Sequence, residues 1–149
     1  MKGRACDGPL SNYSLAHNYQ TDILEVVFSG RLDVGGASEQ TRFSLLYALL
    51  EGASSALEIS RDDVDGTLYR RTAGTSTLVL FDTVPGGAGG AKRIAEAFPE
   101  VIGAAHERVR NCDCGAETSC YSCLRTYRNQ YFHDRLRRDA ALEALDALL

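Results

Sequence analysis

The sequence predicts an α+β fold, a small and mainly antiparallel sheet packed with helices. Three observations point there. The apolar period switches along the chain between two residues and about 3.6, and glycine- and proline-marked turns fall between those runs. The C-terminal part carries Cys112, Cys114, Cys120 and Cys123 within a dozen residues, which gathers that end around its cysteines. At 149 residues the chain suits one hydrophobic core and is short for two, so a single domain over 1–149 is expected. It divides into a lead-in arm (1–20), an α+β core (21–110) and a cysteine segment with the C-terminal helices (111–149).

The elements follow in chain order. Residues 1–20 are polar and irregular, with Pro9, Ser11, Asn12 and Asn18. Thr21 to Phe28 alternates as a strand, with Leu24, Val26 and Phe28 on one face and Glu25 on the other. Gly30 to Gly36 reads as a loop. From Ser38, a fitting N-cap followed by Glu39, the period turns helical, and Phe43, Leu46, Tyr47, Leu50, Ala53 and Leu57 form one stripe. Leu57–Ser60 and Thr67–Arg71 read as two strands joined in a hairpin around Asp65-Gly66. Leu78–Phe81 is a further short strand, and Ala91 to Val109 is helical with a break near Phe98, before Pro99. Tyr121–Phe132 and Asp139–Leu149 read as two more helices, the last apolar at Ala141, Leu142, Leu145 and Leu148.

Composition excludes several classes. The longest apolar run, Leu45 to Leu50, is far below the roughly 18 residues of a membrane helix. The start of the chain reads as no secretory signal, so a soluble cytoplasmic protein without a membrane partner is expected. A net charge of −4 argues against nucleic-acid binding by overall charge, but leaves room for a local patch. An Asp63-Asp65-Gly66 fragment of a calcium loop fails its register, because Arg61 and Thr72 would fall on ligand positions.

The strongest motif is Cys112-x-Cys114-x5-Cys120-x2-Cys123. Two close pairs on tight turns offer a tetrahedron of thiolates, the coordination zinc prefers. Gly115 suits such a turn, and Ser119 could cap a helix starting near Cys120. Four protein ligands would close the shell, so the site would be structural. A redox reading of Cys120-Tyr121-Ser122-Cys123 competes, but the neighbouring cysteine pair favours metal. Cys6 stands apart as a lone thiol.

Two further stretches carry candidate chemistry. Asp82, Pro85, Gly86, Gly87 and Gly89 lie in a glycine loop between a strand and a helix. Such a loop could cradle a phosphate, but it has no P-loop ending, and a sharp turn explains it as well. After the cysteines come Arg125, Arg128, Arg135, Arg137 and Arg138, with Tyr121, Tyr127, Tyr131 and Phe132 interleaved and Asp134 as the single acid from 120 to 138. That mixture suits a nucleic-acid strand or, equally, a solvated basic face with its aromatics in the core. His17, His106 and His133 are scattered and read as packing or surface residues.

Together these residues resemble a known family, the zinc-binding domain at the C-terminal end of superfamily-2 DEAD/DEAH-box helicases, named after the mitomycin-repair helicase (MZB), with related copies in phage-defence components. The resemblance is carried by Thr21-Asp22-Ile23-Leu24, the segment from Gly52-Ala53 to Asp65-Gly66-Thr67-Leu68-Tyr69, Phe81 to Gly89, Cys112-Asp113-Cys114, and Ser119-Cys120-Tyr121-Ser122-Cys123-Leu124-Arg125 with Asn129-Gln130 and His133. It implies that the four cysteines are zinc ligands in a four-cysteine zinc-bound helical segment. It also implies a non-catalytic module that supports a DNA-translocating motor. DNA and helicase ATPase domains, in cis or in trans, are the implied partners. No Walker or DEAD/DEAH motif is present in the chain, so no ATPase activity is expected of it. Two alternatives stay open: a phosphate-ligand enzyme using the Asp82–Gly90 loop, and a protein-interaction adaptor.

Overall fold

The computed structural model describes residue 8 and residues 11–28, 38–72 and 75–149. Cys6 and the loop expected at Gly30–Gly36 lie outside the described residues. Residues 11–20 carry no helix or strand and are exposed. The elements then run β1 (Ile23–Val26), α1 (Glu39–Leu57), β2 (Val64–Thr72), β3 (Thr75–Asp82), α2 (Gly90–Glu96), α3 (Phe98–Arg110), a short 3₁₀ helix (Gln130–Arg135) and α4 (Arg138–Asp146). The three strands form an antiparallel sheet in the order β1-β3-β2. Ile23 stands opposite Phe81 and Val26 opposite Leu78 on one side of β3, while Leu68 faces Leu78 from the other.

Helix α1 is the axis of the molecule. Its start is set by Ser38, whose hydroxyl accepts the Thr41 N–H at 3.0 Å, a capping contact that satisfies one orphan donor. The expected stripe is present, but it understates the burial: every residue from Phe43 to Ala53 is buried. The reason is that α1 packs on the sheet on one side and on α3 and α4 on the other, and a helix covered all round has no polar face. The one charged residue in that run, Glu51, is neutralised in place. Its carboxylate accepts from Arg61 Nε at 2.9 Å and pairs with Arg108 Nη2 at 3.0 Å. Beside it, a side chain at Gly52 would collide with the Val101 carbonyl and with Ala105, 2.7 Å away, so glycine sets the close approach of α1 to α3.

The structure corrects two sequence expectations here. Leu57–Ser60 is not a strand, because α1 runs through Leu57 and ends at Glu58 in the left-handed region (φ 52°). Asp65-Gly66 is not a hairpin turn but lies inside β2, paired with Phe81 and Leu80. Gly66 is there for space: a Cβ would lie 2.7 Å from Leu46 Cδ1. β2 pairs antiparallel with β3 instead. The break at Phe98 is as expected, with α2 ending before Ala97 and Pro99 in the first turn of α3, where proline loses no helical hydrogen bond.

Candidate metal centre

The cysteine segment begins where α3 ends. Cys112 and Cys114 follow its last turn, Gly115 bonds to Thr118 in a turn (N···O 3.2 Å), and Cys120 starts a tight loop in which its carbonyl accepts the N–H groups of Cys123, Leu124 and Arg125 at 3.2, 3.1 and 2.9 Å. The expected helix over Tyr121–Phe132 is replaced by this loop, a turn and the short 3₁₀ helix Gln130–Arg135. Ser119 caps no helix; its hydroxyl accepts from Arg125 Nε at 3.0 Å. Within the loop the Cys123 sulfur folds back to accept the Cys120 N–H at 3.2 Å.

The four sulfurs lie within 4.8 Å of one another. Cys112 and Cys120 are 3.4 Å apart, Cys114 and Cys123 3.7 Å, and Cys120 and Cys123 3.8 Å. A tetrahedron with zinc–sulfur bonds of about 2.3 Å has edges of about 3.8 Å, so the donor set fits that ion. As thiols, Cys114 and Cys123 are pushed up, chiefly by burial. At Cys120 burial also opposes the thiolate, yet hydrogen bonds from the Cys112 thiol and the Ser122 backbone outweigh it and bring the group down to about 7. One shared divalent cation would resolve that conflict by stabilising all four thiolates together.

The cluster is keyed into the core. Cys123 and Leu124 are fully buried, and Leu136 nearly so. Arg108, which pairs with Glu51, also donates from Nε to the Cys123 carbonyl at 3.2 Å. Asn129 is fully buried; it accepts the Thr126 N–H and donates to the Leu124 carbonyl, both at 2.8 Å. His133 Nε2 lies 3.0 Å from both Asn129 Oδ1 and the Thr126 carbonyl. Sequence spacing missed the Glu51–Arg61–Arg108 cluster. Its available signal was a lone acid inside the apolar run 43–53.

The expected basic residues are dispersed over internal partners. Arg125 bonds Ser119, Arg128 pairs with Asp62 at 2.8 Å, Arg135 with Glu39 at 3.6 Å, Arg137 with Asp139 and Glu117, and Arg138 donates to the Val109 carbonyl. The interleaved aromatics separate. Phe132 stacks on Phe43 with centroids 4.6 Å apart, whereas Tyr121, Tyr127 and Tyr131 stay exposed.

The glycine loop is built around Asp82. This fully buried carboxylate accepts the N–H groups of Ala88, Gly90 and Ala91 at 2.6, 3.1 and 2.7 Å. The donors that a phosphate would need are therefore already taken by a carboxylate of the chain, and the phosphate-enzyme alternative loses its cradle. Gly86, Gly87 and Gly89 all have positive φ, which only glycine adopts freely. Residues 20–22 close the loop from outside: Thr21 Oγ1 donates to the Asp82 carbonyl at 2.8 Å, and the Gly86 N–H reaches the Gln20 carbonyl at 2.8 Å. Pro85 is exposed on its rim. Among the described residues no helix is long and apolar enough to cross a membrane.

Comparison with known proteins agrees with this geometry. Over 91% of its length the chain is 27% identical to Druantia protein DruE of Escherichia coli (strain UMEA 4076-1), of which it spans 8%. It is similar in structure to the DUF1998 helicase MrfA bound to DNA, with a TM-score of 0.57, 25% identity, and coverage of 74% of this chain and 14% of that one. The same helicase bound to DNA and AMPPNP gives a TM-score of 0.56 at 24% identity, covering 72% and 14%. The chain thus spans a small fraction of the relatives it matches. Residues 45–124, more than half of the chain and inclusive of all four cysteines, match the MrfA Zn-binding domain family, and the chain belongs to that zinc-binding family.

Proposed function

We propose that this chain is a non-catalytic structural module in which Cys112, Cys114, Cys120 and Cys123 hold one zinc ion. In this reading it supports DNA engagement by the ATPase domains of a superfamily-2 helicase, in a DNA-repair or phage-defence assembly in the cytoplasm. The observation that carries the reading is the near-tetrahedral spacing of four sulfurs beside fully buried Cys123 and Leu124. When bound by four thiolates, zinc has no open position for water or substrate, so its contribution is to folding. The chain's own residues do the rest: Arg108 ties the Cys123 backbone to Glu51 on α1, and Asn129 shapes the loop that follows. The likeness to a helicase bound to DNA supports the DNA part of the reading.

Elemental analysis of the purified, chelator-washed chain tests the metal part, and gel-shift of a labelled forked DNA tests the other. Close to one zinc per chain and a zinc-dependent shift are expected. A folded chain without zinc would overturn the assignment of the ligands, and a zinc-loaded chain that shifts no DNA would overturn the DNA role.

A further inference from the structure

We infer that the cysteine segment presents a base-stacking face for single-stranded DNA, formed by Tyr121, Tyr127 and Tyr131. The inference rests on the DNA-engaging role proposed above and names its substrate class. The three rings are 65%, 78% and 87% exposed, although each sits within a few residues of fully buried side chains. Phe132, their neighbour, supplies the aromatic packing on the core. The tyrosines therefore add little to folding, and burying them against a flat ligand would gain apolar contact that folding leaves unused.

Their frame is held in place. Tyr121 stands edge-on to His133 with centroids 5.5 Å apart, and His133 is fixed by the Thr126 carbonyl and Asn129. The rest of the loop hangs from buried Asn129 and from the Cys120 carbonyl. A face ordered in advance loses less entropy when it binds.

The charge pattern selects the ligand. Rings and guanidinium groups interleave along the segment as Tyr121, Arg125, Tyr127, Arg128, Tyr131 and Arg135. Exposed rings stack on unpaired bases, which a single strand offers, whereas a duplex keeps its base faces covered by stacking. Arg128 and Arg135 are 45% and 56% exposed, and their carboxylate partners, Asp62 and Glu39, are 76% and 55% exposed. Open ion pairs of this kind are weak and screened, so a phosphate can take the place of the carboxylate.

The test uses the zinc-loaded chain with labelled oligothymidylate, a duplex of equal length and an acidic peptide, polyglutamate, followed by anisotropy across a salt series. The variants are the double substitutions Tyr127→Leu/Tyr131→Leu and Tyr127→Phe/Tyr131→Phe, with zinc content and melting temperature as controls for folding. The single strand is expected to bind more tightly than the duplex. The leucine pair should lose about tenfold or more in affinity, and the phenylalanine pair should retain it, because stacking needs the ring and not the hydroxyl. The log–log salt slope should stay the same in all three proteins, at about −0.7 per phosphate contacted. Duplex binding at least as tight, unchanged in the leucine pair, would remove the stacking face and leave the DNA role standing. A folded, zinc-loaded chain that binds neither DNA would remove both. Binding of polyglutamate in place of DNA, lost in the leucine pair, would assign the face to an acidic protein partner and overturn the inference.

Discussion

Residues 21–110 and residues 111–149 reach order by different physics. The first region is built on apolar burial: Leu45, Leu46, Leu49 and Leu50 of α1 meet Leu78 and Leu80 of β3 and Val101 of α3, all at 2% exposure or less. Its hydrogen bonds are mostly those of helices and strands. Between Cys112 and Arg137 the only regular element is the 3₁₀ helix, and it buries no residue. That stretch contributes few core side chains, chiefly Cys123, Leu124 and Leu136, and holds its path by thiols, one buried amide and single carbonyls that accept several N–H groups. A region with so little apolar burial does not readily offset its conformational entropy alone, and in the zinc-bound reading proposed above its order depends on the metal.

The largest effect should come from removing that ligand. Chelation, or Cys120→Ser, withdraws a free energy on the order of 10 kcal/mol by comparison with small zinc peptides. Amide exchange protection should disappear first over 112–137, while β2, β3 and the middle of α1 exchange last. Arg108 couples the two regions through the Cys123 carbonyl and Glu51, so the melting temperature of the whole chain should fall as well. If protection over 112–137 were equal before and after chelation, the contrast between the regions would be broken.

The same division explains what was legible in the sequence. Apolar period marked β1, α1 and α4, because in those elements side-chain direction and burial follow the backbone repeat, and Pro99 marked the α2–α3 break. The period failed at Leu57–Ser60, and the turn signal of Asp65-Gly66 failed beside it. The left-handed Glu58 gives no pattern, and Gly66 answers to Leu46, which is distant in sequence. The period failed again over Tyr121–Phe132, where buried Asn129 takes the Thr126 N–H and donates to the Leu124 carbonyl and the chain turns into a short 3₁₀ helix. The clustering of the four cysteines was plain from spacing, since two close pairs on tight turns can bring their sulfurs within 4.8 Å of one another. The partners of Asn129 and the triple acceptance by Asp82 were not, because a hydrogen bond between distant residues leaves no local period.

A smaller and more local effect is expected of Asn129→Ala. The change strands the Leu124 carbonyl and the Thr126 N–H, which Asn129 satisfies at 2.8 Å each. Unpaired buried groups cost about 1–3 kcal/mol apiece, so a loss of about 2–4 kcal/mol should appear in denaturant unfolding. The zinc ligands are untouched, so zinc content in excess metal should remain close to one, while a competing chelator should extract it faster. Unaltered extraction would show that the cysteine turns stand without the loop that follows them, and that the ligand alone orders the region.

The smallest effect belongs to the other region and has the opposite sign. Glu58 ends α1 at φ 52°, a conformation that costs a side-chain-bearing residue about 1 kcal/mol or more and glycine almost nothing. Its carboxylate also stands at a helix C-terminus, whose last turn contains no basic residue, where negative charge is unfavourable. Both terms are relieved by Glu58→Gly. The added freedom of glycine in the unfolded chain works against them. The net expectation is a gain of about 0.5–1 kcal/mol, read as a rise of about 1–3 °C in melting temperature. The Leu57 carbonyl keeps its Arg93 Nη2 donor at 2.5 Å, so the end of the helix stays capped. Because this residue acts on backbone conformation within the apolar region, the rate of zinc extraction should not change. A gain in stability accompanied by slower extraction would mean that the end of α1 and the cysteine segment open together, and that the two regions unfold as one.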